Sequence, residues 1–406
     1  MLLKAALLAL RPWTVLFFTG MVLHQGAQAQ SDWHLQNTLQ MGVDAWRIEH
    51  SANDRITQGT MYLADAATRW DFSELSPWFN LHSQLTLGTR NHLVLQGRAN
   101  QGLGASLDQL SVDHAVSPSL GFRAGVADFR ATWCREYDLD NPWVRESDPF
   151  CSHRLVRMSS SSAPALQAYV NLELGNYQMQ SVVGIYRPRA FGYANREFGD
   201  FLLKDNHHIT KNHKQAISLN IIDKSSSMEW RLSWIGLNQS LFDSDFVQIN
   251  NKSTYPSTQL NYHQRSNTYF LGVSWQVSPK LRSRLTHMTS DLKAQCVLLN
   301  PLAGPPCSNR YKKVSTVLEL NYQLYPTDIL SVSFVTFPVV QDKVYKRDHQ
   351  SMSAAWRHDW GQGWFNALQM SLAQSETAYN LRPQYVPYVP GLAKAWAAGF
   401  RLGYQW

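Results

Sequence analysis

From about residue 33 to the last residue, apolar and polar side chains alternate with a period of two, in segment after segment, without helical spacing. Successive side chains of a strand face opposite sides, so such a pattern gives each strand one apolar and one polar face. The final strand shows it best. Trp396, Ala398, Phe400, Leu402, Tyr404 and Trp406 share one side, while Ala397, Gly399, Arg401, Gly403 and Gln405 share the other. A strand that crosses a bilayer with lipid on one side and a wet interior on the other has this character.

The start of the chain supplies an address. Lys4 and Arg11 precede a mostly apolar stretch from Trp13 to Leu23, and Ala27-Gln28-Ala29 carries small residues at both cleavage-specifying positions. This predicts a secretory signal over residues 1–29, leaving 30–406 as the mature domain. Beyond residue 30 there is no run of about 18 apolar residues, which excludes helical membrane spans. Either the product is soluble or it crosses as strands. Charged residues make up only 17% of the chain, yet it holds 15 Trp, 17 Tyr and 17 Phe. Aromatic girdles at two membrane interfaces would use that surplus.

The alternating segments number sixteen, over about 33–49, 78–88, 92–99, 107–116, 120–128, 164–174, 177–187, 213–223, 228–238, 267–277, 281–290, 312–324, 329–338, 349–359, 364–376 and 394–406. An extra pair using Met61 to Ser73 would raise the count to eighteen. Within pairs the connections are short and turn-like, as in Gly175-Asn176, Ser278-Pro279-Lys280 and Gly361-Gln362-Gly363. Between pairs they are long, 129–163 and 239–266 among them. In lipid every backbone N–H and C=O must be paired inside the protein, so such a sheet has to close. The expected fold is all-β: a transmembrane antiparallel up-and-down barrel of about sixteen strands, too wide for side chains to fill.

The signal sequence, the sixteen alternating segments and the terminal aromatic together resemble the outer-membrane porins of Gram-negative bacteria. Phe400, Tyr404 and Trp406 resemble the mark read by the barrel assembly machinery. The resemblance implies an outer-membrane location among lipid and lipopolysaccharide, a homotrimer, and passage of small hydrophilic solutes. It also implies that the connection after the fifth strand, 129–163, folds inward as the third loop and narrows the lumen. Its charged residues Arg130, Arg135, Glu136, Asp138, Asp140, Arg145, Glu146 and Asp148 are then the candidate constriction.

Opposite the apolar faces stand Arg98, Arg123, Arg231, Arg282, Arg284, Arg357 and Arg401, against Asp44, Glu173, Glu229 and Glu319. Arginine stays charged at any relevant pH and grips carboxylates or phosphates in a fixed fork. This wall favours a weak anion preference. Arginines near the interfaces have a second use, contact with lipopolysaccharide phosphates. An exporter of an acidic polysaccharide, a barrel enzyme and an adhesin are the alternatives, and no spaced nucleophile and base pair supports an enzyme.

The four cysteines fall into two local pairs, Cys134 with Cys151 and Cys296 with Cys307, and in an oxidising compartment disulfides are the default. Their spacing lacks the close pairs of zinc sites, and His207-His208 with His213 lies in a Lys-rich polar stretch, so no metal is expected. Removing Lys4 and Arg11 takes the net charge from +7 to +5, without basic clusters that suggest nucleic acid. No Gly-rich phosphate loop or other cofactor signature appears.

Overall fold

In a computed structural model the described residues are 33–50, 72–100, 104–127, 163–187, 201–202, 207–250, 253–254, 258–298, 307–341, 345–379 and 391–406, with Phe129, Ala131, Trp133 and Trp143. They form a closed antiparallel barrel, with no helix among them. Its sixteen strands are β1 Trp33–His50, β2 Phe72–Leu87, β3 Asn91–Asn100, β4 Gly104–Ser117, β5 Leu120–Ala127, β6 Ala163–Leu174, β7 Tyr177–Tyr186 and β8 His207–Asp223. There follow β9 Met228–Asn250, β10 Thr258–Ser278, β11 Leu281–Leu298, β12 Cys307–Tyr325, β13 Asp328–Thr336 (resumed at Val339–Gln341), β14 Tyr345–Gly361, β15 Trp364–Tyr379 and β16 Gly391–Gln405.

Each strand pairs with its sequence neighbour, and β1 pairs with both β2 and β16. The closing register runs from Gln40 opposite Gln405 to His50 opposite Ala395. It ends in two backbone bonds between Leu39 and Trp406, of 3.2 and 2.8 Å. Sixteen strands ~4.8 Å apart, tilted ~40°, enclose a ring roughly 30 Å across from backbone to backbone. That is too wide for wall side chains to meet in the middle.

The two faces follow the alternation. Val170, Leu172, Val183, Ile217, Leu232, Leu271, Leu320, Phe334, Leu368, Phe400 and Leu402 are exposed outward, whereas Gln96, Gln167, Ser274, Ser315, Ser333 and Gln369 are buried inward. At the short-turn end the outer face is ringed by aromatics. Trp364 meets Tyr404 edge-on with ring centroids 5.0 Å apart, and His358 lies 4.5 Å from Trp360.

The sixteen strands match the sixteen alternating segments. Within the stretch that could supply an extra pair, Phe72 and Ser73 belong to β2, and 61–71 lie outside the described residues, as do the signal residues 1–29. Strand ends differ from expectation on the long-loop side. The alternation leaves residues 239–250, 258–266 and 291–298 in connections, yet β9, β10 and β11 continue through them. Above the bilayer both faces of a hairpin meet water, so the apolar alternation fades while the backbone ladder persists.

At the turn after β8, the Asp223 carboxylate accepts hydrogen bonds from the Ser225 hydroxyl (2.6 Å), the Ser226 hydroxyl (2.6 Å) and the Ser225 amide (2.9 Å). These donors hold its pKa down, at about 2. Because the folded value lies below the unfolded one, the stabilisation is present above about pH 4 and is lost as the pH falls toward 2. An NMR titration of Asp223 in detergent should give a midpoint near 2, rising toward the ordinary carboxylate range in Ser225→Ala/Ser226→Ala, where the backbone donor remains.

The closing seam yields a second expectation. A Cβ on Gly42 would strike the Leu402 carbonyl oxygen and come within 2.8 Å of the Trp78 ring. Gly42→Val should therefore cost at least about 2 kcal/mol through overpacking. The fraction of chain that runs as folded barrel on unheated electrophoresis should fall accordingly.

Candidate functional site: a loop laid across the lumen

The connection leaving β5 does not rise clear of the barrel. Phe129 packs edge-on to Tyr186 of β7, with ring centroids 6.0 Å apart. Trp133 lies beneath the Arg231 guanidinium of β9, 5.3 Å from ring to Cζ, and fills the space left by Gly272 of β10. Both wall residues stand on the inward parity of their strands. Farther along, Trp143 is fully buried. Its indole N–H donates to Glu319 Oε1 of β12 at 3.1 Å, and its carbonyl accepts from Arg401 of β16 at 3.3 Å.

β12 and β16 are seven and five places from β5 around the ring, so Trp143 sits against the far wall. Trp143 is sixteen positions after Ala127, a reach of up to about 50 Å and enough to cross the lumen. Phe129, Ala131 and Trp133 are each nearly inaccessible as well. Aromatic rings, which the charged composition of this connection obscures, are what press it onto the wall.

The wall around Trp143 is electrostatically built. Arg401 faces Asp44 across the β16–β1 seam and grips it in a fork, with Nε to Oδ1 at 2.8 Å and Nη2 to Oδ2 at 2.9 Å. Trp78 donates to the same Asp44 Oδ1 at 2.8 Å and offers its ring to Arg401 at 4.6 Å. Removing one partner of such a buried pair typically costs about 3–5 kcal/mol, because the other charge stays desolvated. On the opposite side Arg284 lies 3.7 Å from Glu319.

A second polar network lines the wall near the root of the loop. Arg123 binds Asp113 through Nε (3.2 Å) and Nη2 (2.7 Å), and Gln167 through Nη1 (3.3 Å). Tyr169 donates to Asp113 at 2.6 Å, and Gln167 donates to Tyr186 at 2.9 Å. The Lys214 ammonium lies 4.6 Å from the Tyr186 ring centroid.

Of the arginines expected on the wall, Arg123, Arg231, Arg284, Arg357 and Arg401 lie on inward parity, and Arg282 does so near the short-turn end. Arg98 has inward parity in β3, but its side chain lies outside the described residues. So do Arg130, Arg135, Glu136, Asp138, Asp140, Arg145, Glu146 and Asp148, together with Cys134 and Cys151. Alternation and charge do not single out Trp133, Trp143, Gly272, Trp78, Lys214 or Lys313. Two tryptophans inside a charged connection are the signal the sequence offers.

No protein-family model matches the chain, and no curated protein matches it in sequence. Solved structures do match in fold. The outer-membrane channel DcaP of Acinetobacter baumannii aligns at 9% identity over 92% of this chain and 97% of that one, with a TM-score of 0.58. Outer-membrane-expressed OmpT of Vibrio cholerae aligns at 9% identity over 93% and 99%, with a TM-score of 0.52. The chain thus shares the β-barrel fold of these outer-membrane proteins. Likeness at this identity extends to architecture alone.

Trp143→Ala removes an indole donor and a buried ring, and Gly272→Val fills the space that Trp133 occupies. Each should loosen the loop by at least about 1.4 kcal/mol, a factor of ten in opening. Limited proteolysis within 129–163 should accelerate by that factor while the barrel stays folded on unheated electrophoresis.

Proposed function

We propose that this protein is a pore for passive diffusion of small hydrophilic solutes across the outer membrane, with a weak preference for anions. The observation that carries the reading is Trp143 of the connection after β5, held against the far wall of a lumen too wide to be filled, where that connection would narrow the passage. In a confined aqueous path, charges are screened less than in bulk and set ion preference.

The sign comes from the wall. Among described side chains of inward parity, the cations are Arg123, Lys214, Arg231, Arg282, Arg284, Lys313, Arg357 and Arg401, and the acids are Asp44, Asp113, Glu173, Glu229, Glu319 and Asp359. Five of those acids hold a wall arginine, as in Arg231 with Glu229 at 2.9 Å and Arg357 with Asp359 at 2.8 Å. By count the described inward side chains carry eight cations against six acids. The candidate charges of the loop itself, Arg130 to Asp148, would act on the same passage.

Planar bilayers containing the purified barrel should show single-channel steps, with a reversal potential under a salt gradient on the anion side. Arg282→Gln with Lys313→Gln should shift it toward cations. No conductance from folded protein, or cation preference in the wild type, overturns the corresponding half of the reading.

We further propose that Cys296 and Cys307 are joined. They are direct backbone partners across the β11–β12 hairpin, a register that a disulfide can span. Non-reducing peptide mapping should recover the two in one linked fragment, and two separately alkylated peptides would exclude the bond.

A further inference from the structure

The outward face of β10–β12 changes character at one height. The row Ile217, Trp234, Tyr269, Thr289 and Val314 runs across β8 to β12 and includes two interfacial aromatics. One step toward the long loops the row reads Asn267, Asp291 and Lys312, and one step farther it reads Arg265, Lys293 and Arg310. These three cations are direct cross-strand partners on outward parity. All are exposed, as is Lys312.

Lys293 stands twelve residues past Leu281, the first residue of β11. At ~3.4 Å per residue and ~40° of tilt that is about 31 Å above the short turn, beyond an apolar band ~25 Å tall. The row therefore lies at headgroup level of the outer leaflet. Asp291 reduces but does not cancel the charge, since it is occupied by Arg310 through bonds of 3.0 and 2.5 Å. Four cations against one acid leave a patch of net +3. Cations on three neighbouring strands span about 10 Å, as wide as a headgroup bearing more than one phosphate.

We propose that Arg265, Lys293 and Arg310, with Lys312 below them, form a site on the outer wall for the phosphate groups of a phosphorylated glycolipid of the outer leaflet. Trp234 and Tyr269 flank the acyl chains beneath it. The site is separate from the lumen and does not rest on the pore reading.

The test uses the full barrel in detergent, with diphosphoryl lipid A as probe and native mass spectrometry as readout. Wild-type protein should bind it at least tenfold more tightly than Arg265→Gln/Lys293→Gln/Arg310→Gln, and Lys293→Gln alone should lose about threefold. Dephosphorylated lipid A should bind the wild type no better than diphosphoryl lipid A binds the triple variant. Arg282→Gln, a cation on the inner wall, should bind like the wild type. Equal binding by the triple variant, or by dephosphorylated lipid, overturns the proposal. Displacement of the lipid by equimolar inorganic pyrophosphate overturns the lipid assignment in favour of a simple phosphate-anion site.

Discussion

In hydrocarbon an unpaired backbone amide or carbonyl costs several kcal/mol, and no water is present to relieve it. The rest of the molecule depends on that constraint. It forces β1 to find β16, and the seam that results brings Asp44 opposite Arg401. The side chains at the seam then have a second task. Arg401 neutralises Asp44, stacks on Trp78 and still reaches the carbonyl of Trp143. The residues that close the ring thereby also hold the loop that crosses it.

The loop is retained by apolar burial as much as by charge. Phe129, Trp133 and Trp143 each find a wall position shaped for them: the Tyr186 ring, the space above Gly272, and the cleft between Glu319 and Arg401. A solvated loop with the same charges would have little reason to stay inside. Tryptophan supplies area and one directional N–H, which fixes position where ion pairs alone would tolerate sliding. The outer wall shows the complementary logic. There the alternation serves lipid, and the place where it turns cationic marks the headgroup level.

The barrel is largely legible in the sequence because lipid imposes a strict period of two. Alternation alone puts Tyr269, Leu271, Val273, Trp275 and Val277 on one face, and all five lie outward. The six expected wall arginines whose side chains are described have inward parity for the same reason. Strand ends are less legible. Where β9 to β11 pass above the membrane, as at Asn238 to Asn250, both sides meet water and the pattern carries no signal of the pairing that persists.

Sequence by itself determined the class of structure, the number of strands, their antiparallel order and which face of each meets lipid, because those follow from local alternation and turn residues under a solvent that allows one solution. Only the tertiary structure decided which inward residues meet. Asp44 and Arg401 are 357 positions apart, and Trp143 and Glu319 are 176 apart. Their contacts exist because a ring about 30 Å wide is closed at one seam and because Trp143 reaches the wall between β12 and β16, and closure is a property of the whole sheet that no single segment encodes.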